Sequence, residues 1–283
     1  MIHLNLGTLR PLGGRRVNGD RPVFLPARMV CHGLLIESDR GLVLVDTGFG
    51  LEDVRRLRHV WFGWRGSEPL RPQLRRKFFK AFFTRPRLDP GETAARQVTA
   101  LGHSPADVTD VVLTHLDSDH AGGLPDFPAA RVHVDEVEHE AAVSSGHTRY
   151  WSYQWAHDPH WVRYGAGGDS WHGLEGVRQL DGLPELALVP LRGDSPGHCG
   201  VIVRTDGGWL LHAADTYFDH REVDPREPHS TPALAAFQKR LEFDAAARRT
   251  SREQVRALPD EVERFCSHDP VELDRYVAAP TRP

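Results

Sequence analysis

The stretch Thr114-His115-Leu116-Asp117-Ser118-Asp119-His120-Ala121-Gly122-Gly123 constrains this chain more than any other. The apolar run Val111-Val112-Leu113 leads into it and two glycines close it, so the spacing predicts a tight loop at the end of a buried strand. Four side chains that carry imidazole or carboxylate, His115, Asp117, Asp119 and His120, fall within six residues. Those groups hold zinc, iron or manganese, and when a turn crowds them they repel one another unless a cation lies between them. A solvated polar loop is the competing reading. It is disfavoured because later stretches of the chain supply the other pieces that a metal site needs.

The run His-x-Asp-x-Asp-His-Ala-Gly-Gly resembles the His-x-His-x-Asp-His signature of the metallo-β-lactamase fold hydrolases, and its Ala-Gly-Gly end is similar to that of their lactonase branch. Four further segments resemble family elements in the family's order. They are Val43-Leu44-Val45-Asp46-Thr47-Gly48, Ser195-Pro196-Gly197-His198, His212-Ala213-Ala214-Asp215 and Ser267-His268-Asp269-Pro270. The resemblance implies an α/β fold, the four-layered αββα sandwich, with residues 1–283 as one domain. It also implies two divalent metal ions, zinc first among them. His115, position 117 and His198 would hold one, Asp119, His120 and His268 the other, and Asp215 would bridge. Asp46 would brace the metal loop by hydrogen bonds without ligating.

One position departs from the family: Asp117 stands where the second His is usual. A carboxylate there adds negative charge and hard oxygen character, which shifts preference from zinc toward iron or manganese if it ligates. If it does not, one tight metal remains at the second site. Tyr217, close behind Asp215, is an expected oxyanion donor on the strength of the lactonase resemblance, although it stands one position early for that role.

The remaining sequence bounds the function. The chain has 283 residues, 40% hydrophobic and 26% charged, with a formal net charge of -4, the balance of a globular protein. The start lacks a secretory pattern, no apolar stretch is long enough to cross a bilayer, and three cysteines suit a reducing cytoplasm better than a disulfide framework. Residues 55–87 interleave cations with aromatics, and Phe78, Phe79, Phe82 and Phe83 fall on one helical face. A lid or docked helix is the favoured reading, ahead of a membrane contact or a homodimer face, and the acidic overall balance argues against nucleic acid. Residues 144–176, rich in Trp, Tyr and His, read as an irregular insertion, either a pocket wall or a cover over a sheet edge.

Strands are expected over 29–37 and 42–45 as a hairpin, then at 111–113, 131–134, 186–191, 201–204, 209–212 and 262–266, with helices over 93–101, 135–143 and 233–258. Arg248 and Arg249 are expected on the exposed side of the last helix. The chemistry implied is hydrolysis of a small-molecule substrate, a lactone or carboxylic ester first. Asp119 and Asp215 would orient the attacking hydroxide between two metals roughly 3.5 to 4 Å apart. Thioester or phosphodiester hydrolysis, diiron-type redox chemistry and a non-catalytic metal-binding protein are the alternatives.

Overall fold

Continuous apolar runs, such as Gly41–Val45 and the first five residues of Cys199–Thr205, must be covered on both faces, and the chain covers them by stacking two sheets with helices outside. The structure is a computed structural model that describes residues 1–19, 21–63, 84–144 and 149–277. One sheet runs in spatial order β1 (Ile2–Leu9), β2 (Met29–Ser38), β3 (Gly41–Val45), β4 (Val108–Val112), β5 (Arg131–Asp135) and β6 (His160–Tyr164). The other holds β7 (Asp169–Trp171), β8 (Leu174–Leu180), β9 (Leu183–Pro190), β10 (Cys199–Thr205), β11 (Gly208–His212) and β12 (Val262–Phe265), in the order β12-β11-β10-β9-β8-β7.

Side chains alternate between two cores with the period of two that a strand imposes. Leu34, Val43, Val45 and Val112 of the first sheet meet Leu188, Val201, Val203, Leu210 and Phe265 of the second. Their neighbours Leu35, Leu42, Leu44 and Val111 face outward into a core with α2 (Ala94–Ala100), through Ala94, Ala95 and Val98. On the far side of the molecule Ile202 and Leu211 pack with Val255 of α5 (Ala245–Arg256). The remaining helices are α1 (Leu51–Gly63), α3 (Glu136–Val143), α4 (Pro232–Leu241) and α6 (Pro270–Val277). Helix, sheet, sheet, helix is the four-layered α/β sandwich expected.

Two expectations change. The aromatic segment is built into the sheets over residues 160–176: β6 pairs in parallel with β5, and β7 closes the edge of the second sheet through β8. The stretch 233–258 is two helices, broken at residues 242–244 where Asp244 caps α5 through the Ala246 and Ala247 amides. The phenylalanine face at 78–83 lies outside the described residues.

Parallel pairing of β3 with β4, β4 with β5, and β11 with β12 sends their C-terminal ends to one edge of the sandwich. Asp46, the 114–123 loop, Asp215 and His268 all follow those ends.

Candidate metal centre

Asp46 leaves β3 with φ 55, a left-handed conformation uncommon for a non-glycine residue, and its carboxylate organises the metal loop. Oδ1 accepts the Thr114 N–H (2.9 Å), and Oδ2 accepts the Thr114 hydroxyl (2.9 Å) and faces His120 Nδ1 (2.8 Å). Thr47 adds a second clamp: its hydroxyl donates to the His120 carbonyl (2.8 Å) and accepts from the Gly123 N–H (2.9 Å). A side chain at Gly122 would meet Asp53 Oδ2 at 2.0 Å and the Gly48 carbonyl at 2.6 Å, so the loop closes only with glycine at that point.

These bonds fix which nitrogen of each ring is left bare. His120 gives its Nδ1 proton to Asp46, and His115 gives its own to Thr114 Oγ1 (3.0 Å), whose hydroxyl proton is already spent on Asp46. His268 Nδ1 donates to the Val30 carbonyl (2.7 Å) and His198 Nδ1 to the Leu191 carbonyl (2.6 Å). All four present Nε2 as a lone pair.

Three of the four lone pairs meet carboxylates. His120 Nε2 lies 3.4 Å from Asp215 Oδ1. His268 Nε2 lies 3.3 Å from Asp215 Oδ2 and 3.8 Å from Asp119 Oδ2, and His115 Nε2 lies 3.8 Å from Asp215 Oδ2. His115 Nε2, His120 Nε2 and Asp215 Oδ1 are buried and have no hydrogen-bond partner among the described residues. Buried acceptors facing acceptors are unstable without positive charge between them. The same demand shows in the ionisation. Burial opposes charge on His120 and His268, yet the Asp215 carboxylate lifts both above the ordinary histidine value, while burial keeps His115 neutral. The donor set of three imidazoles with Asp119 and Asp215 therefore fits a divalent cation.

His198 stands apart. Its Nε2 accepts the Asp215 N–H (3.0 Å), and on the other side Arg248 Nη2 donates to the Asp215 carbonyl (2.9 Å). The two clamp Asp215 by its backbone, beside Ala214, whose φ of 49 marks a strained turn. Arg248, expected on the surface, is buried, with its guanidinium 5.1 Å from the Phe218 ring centre.

Asp117 is held by the partly buried Arg149, whose Nε and Nη2 donate to its two oxygens at 2.6 and 3.0 Å. Arg149 also pairs with Asp194, a residue that sequence reasoning passed over. Asp194 Oδ2 lies 3.8 Å from His115 Nε2. Glu138 of α3 was missed as well: Oε1 accepts the Leu116 N–H (2.9 Å), and Oε2 accepts the Ser195 hydroxyl (2.7 Å) and the Gly197 N–H (2.9 Å). It ties the metal loop to the loop before β10, where a side chain at Gly197 would strike the Glu138 amide at 2.1 Å.

Tyr217 does not supply an oxyanion donor. Its ring is fully buried with Val189, Leu191 and Ile202, and its hydroxyl donates to Glu272 Oε1 (3.0 Å). Phe218, the next residue, packs edge-on to His268 with ring centres 4.7 Å apart, so an aromatic ring without a hydroxyl borders the cluster there. Cys31 approaches the cluster, with Sγ within 4.8 Å of donor atoms of Asp119 and His268. Burial and the Asp119 charge push its thiol well up, so it is no thiolate nucleophile.

A lone-pair cluster of this kind at one edge of an αββα sandwich defines a metal-dependent hydrolase. The sequence profile of the metallo-beta-lactamase superfamily matches residues 88–268. A probable metallo-hydrolase of Mycobacterium tuberculosis is 34% identical over 95% of this chain and 79% of its own length. The N-acyl homoserine lactonase AttM of Rhizobium radiobacter is 31% identical over 42% of this chain and 44% of its own. Among solved structures, a variant of B. thuringiensis AiiA with N-decanoyl-L-homoserine at its active site superposes with a TM-score of 0.67, at 19% identity, over 97% of this chain and 94% of that one. The chain belongs to the metallo-beta-lactamase superfamily.

Proposed function

We propose that this chain hydrolyses a carboxylic ester, a lactone above all, at a divalent cation held by His115, His120, His268, Asp119 and Asp215. The observation that carries the proposal is the set of buried Nε2 and carboxylate atoms left facing one another. Zinc suits three imidazoles with carboxylates. The reason for a lean toward iron or manganese was Asp117, whose oxygens are both occupied by Arg149. When bound, such a cation supplies Lewis acidity and a water of lowered pKa.

The chain's own residues do the positioning. His198 and Arg248 fix the Asp215 backbone so that its carboxylate faces His120 and His268. Asp119, beside His268, and Asp215 orient the attacking water and receive its proton. Phe218 walls the side of His268 and excludes solvent there.

Charge bears on the substrate class. Asp46, Asp117, Asp119, Asp194 and Asp215 crowd one edge, with Arg149, Arg192 and Arg248 beside them, so among the described residues the carboxylates outnumber the cations before a metal is counted. That surplus, offset in part by the cation the site would hold, weighs toward a neutral electrophile over a phosphodiester anion. The similarity to AttM and the Ala121-Gly122-Gly123 turn support a lactone within that class.

The test is a panel comprising a γ-lactone, an open ester, a thioester and bis-p-nitrophenyl phosphate, each with and without chelator. Highest kcat/KM on the lactone, lost with chelator and restored by zinc, is the expected result. Turnover that survives complete removal of metal, or a clear preference for the phosphodiester, overturns the proposal.

A further inference from the structure

The family's first metal would be held by His115, by position 117 and by His198, and in this chain two of those three are committed elsewhere. His198 has no lone pair to spare, since Nδ1 donates to Leu191 and Nε2 accepts from Asp215. Asp117 gives one lone pair of each oxygen to the fork of Arg149, and the guanidinium charge held there repels a second cation. The residues around position 117 therefore do not fit that ion.

Arg149 uses every proton its guanidinium has. A guanidinium carries five N–H donors. Nε donates to Asp117 Oδ1 (2.6 Å), and Nη2 to Asp117 Oδ2 (3.0 Å) and to Asp194 Oδ2. Nη1 donates to the Asp194 carbonyl (2.6 Å) and to the Leu241 carbonyl (3.0 Å) at the end of α4. Five donors meet five acceptors. The cation is thus tied to the metal loop, to the loop before β10, and to a helix C-terminus where positive charge is favoured.

We propose that Arg149 is a built-in substitute for the first metal ion: its guanidinium takes the charge and crosslinking role of that ion between Asp117 and Asp194, so that a single divalent cation binds, at the Asp215 cluster. The substitution at position 117 and the arginine at 149 are two halves of one exchange. A neutral imidazole at 117 would call for a metal, whereas a carboxylate there takes a guanidinium. Because all five donors are spent within the chain, Arg149 offers nothing to the substrate. It is a positioning residue. The single-metal centre deepens the hydrolase reading and rests on it for the identity of the remaining site, but metal stoichiometry can be measured whether or not any substrate turns over.

Removing the guanidinium has an unusual consequence. His115, Asp117 and Asp194 each place a ligand atom within 4.8 Å of the others, so the vacated space is itself a candidate cation site, to which His115 would turn its one bare nitrogen while His120, His268, Asp119 and Asp215 keep the other ion. A merely structural arginine, once removed, would lower metal content or leave it unchanged. This one, removed, should raise it.

The experiment compares the wild type with Arg149→Met, both stripped with chelator, by zinc titration calorimetry and by elemental analysis after dialysis. About one zinc per chain is expected in the wild type and about two in the variant. Two in the wild type overturns the proposal outright. One in both overturns the role of Arg149, since freed carboxylates would then have failed to accept an ion. The wild-type titration decides the first point even if R149M does not fold. If no panel substrate turns over while the stoichiometry still rises from one to two, the hydrolytic reading falls and the assignment of Arg149 stands.

Discussion

Around Asp215, three imidazole lone pairs and two carboxylates meet pairwise at 3.3 to 3.8 Å, and His115 Nε2, His120 Nε2 and Asp215 Oδ1 have no partner among the described residues. A few ångströms away Asp117 and Asp194 form an equally buried acidic pair, and Arg149 fills it. His115 belongs to both groups. The neighbouring clusters pose one electrostatic problem, concentrated negative charge in a dry place, and resolve it differently. One reserves its acceptors for an ion from outside, and the other closes on a side chain. A functional site is thus recognised by the acceptors it leaves unmet, and acidity alone does not mark it.

The largest effect expected from breaking this contrast is at Asp215. Replacing it by Ala removes the carboxylate that His115, His120 and His268 all face. Bound metal should fall toward zero and kcat/KM by about a thousandfold, about 4 kcal/mol of lost transition-state stabilisation. Retention of full metal content would show that the donor set is misread.

At the closed cluster the effect should appear in stability. Arg149→Met leaves Asp117 and Asp194 buried without their cation, and breaking such a pair costs about 3 kcal/mol in the metal-free protein, read as a lowered urea midpoint. Saturating zinc should recover more of that midpoint in the variant than it adds to the wild type, because the vacated site then binds an ion that only the folded state holds. Equal gains in both proteins would mean that the two clusters are not interchangeable in the way the contrast implies.

Asp46→Asn tests the support of the open cluster. Asparagine keeps the shape but weakens the acceptor that holds Thr114 and the Nδ1 proton of His120. Zinc affinity should drop about 10- to 100-fold with the fold intact. An unchanged affinity would mean that the ring orientation of His120 is set by something else.

What the sequence made legible in these clusters was local. The 114–123 run announces itself because its donors are neighbours in the chain and its glycines mark the turn, and the strand-end positions of Asp46, Asp215 and His268 follow from apolar runs that stop just before them. Arg149 and Asp194 carried no such signal. Their meaning arises from contacts spanning 32 and 45 residues, and Arg149 sits in a stretch whose aromatic content drew attention to pocket walls. Glu138 looked like one more acid on an ordinary helix. Arg248 looked exposed because a cation in a polar helix usually is; its burial depends on where α5 lands against the Asp215 turn. Tyr217 was misread by one residue of register after β11, where the turn through Ala214 and Asp215 decides that Phe218, and not Tyr217, faces His268. Apolar runs mark most of the inner strands because they are properties of single strands, but the layering itself comes from the resemblance, since alternating strands and helices do not distinguish this sandwich from a doubly wound sheet. Strands β6 and β7 are not marked because their exposed and intermediate positions lack that apolar pattern; β1 and β8 are also absent from the strands expected, although Ile2, Leu4 and Leu6 of β1 do alternate with polar residues and glycine.

Asp53 supplies the smallest and most delicate contrast, a third buried carboxylate beneath the metal loop that meets neither a metal nor an arginine. It is fully buried in α1 against Gly122 and accepts only neutral donors: the Tyr153 hydroxyl, the Gln154 amide (3.0 and 3.1 Å) and the Gly50 N–H (3.1 Å). Burial lifts its carboxyl from the ordinary 3.8 to about 7, partly offset by those donors. In the unfolded chain the group loses its proton near the ordinary value, while the folded chain keeps it until about pH 7. Across that interval the folded state binds more protons, so stability falls as pH rises. Asp53→Asn removes this dependence, and the gap between variant and wild type should shift in the variant's favour by about 4 kcal/mol between the bottom and top of the window. Glu272, also lifted to about 7 by burial, titrates in both proteins and cancels from the difference. Denaturant unfolding at matched pH values gives the two slopes. Parallel slopes would mean that Asp53 is ionised throughout, held by its three donors as firmly as Arg149 holds Asp117, and the distinction between neutral and charged ways of satisfying a buried carboxylate would then disappear at this site.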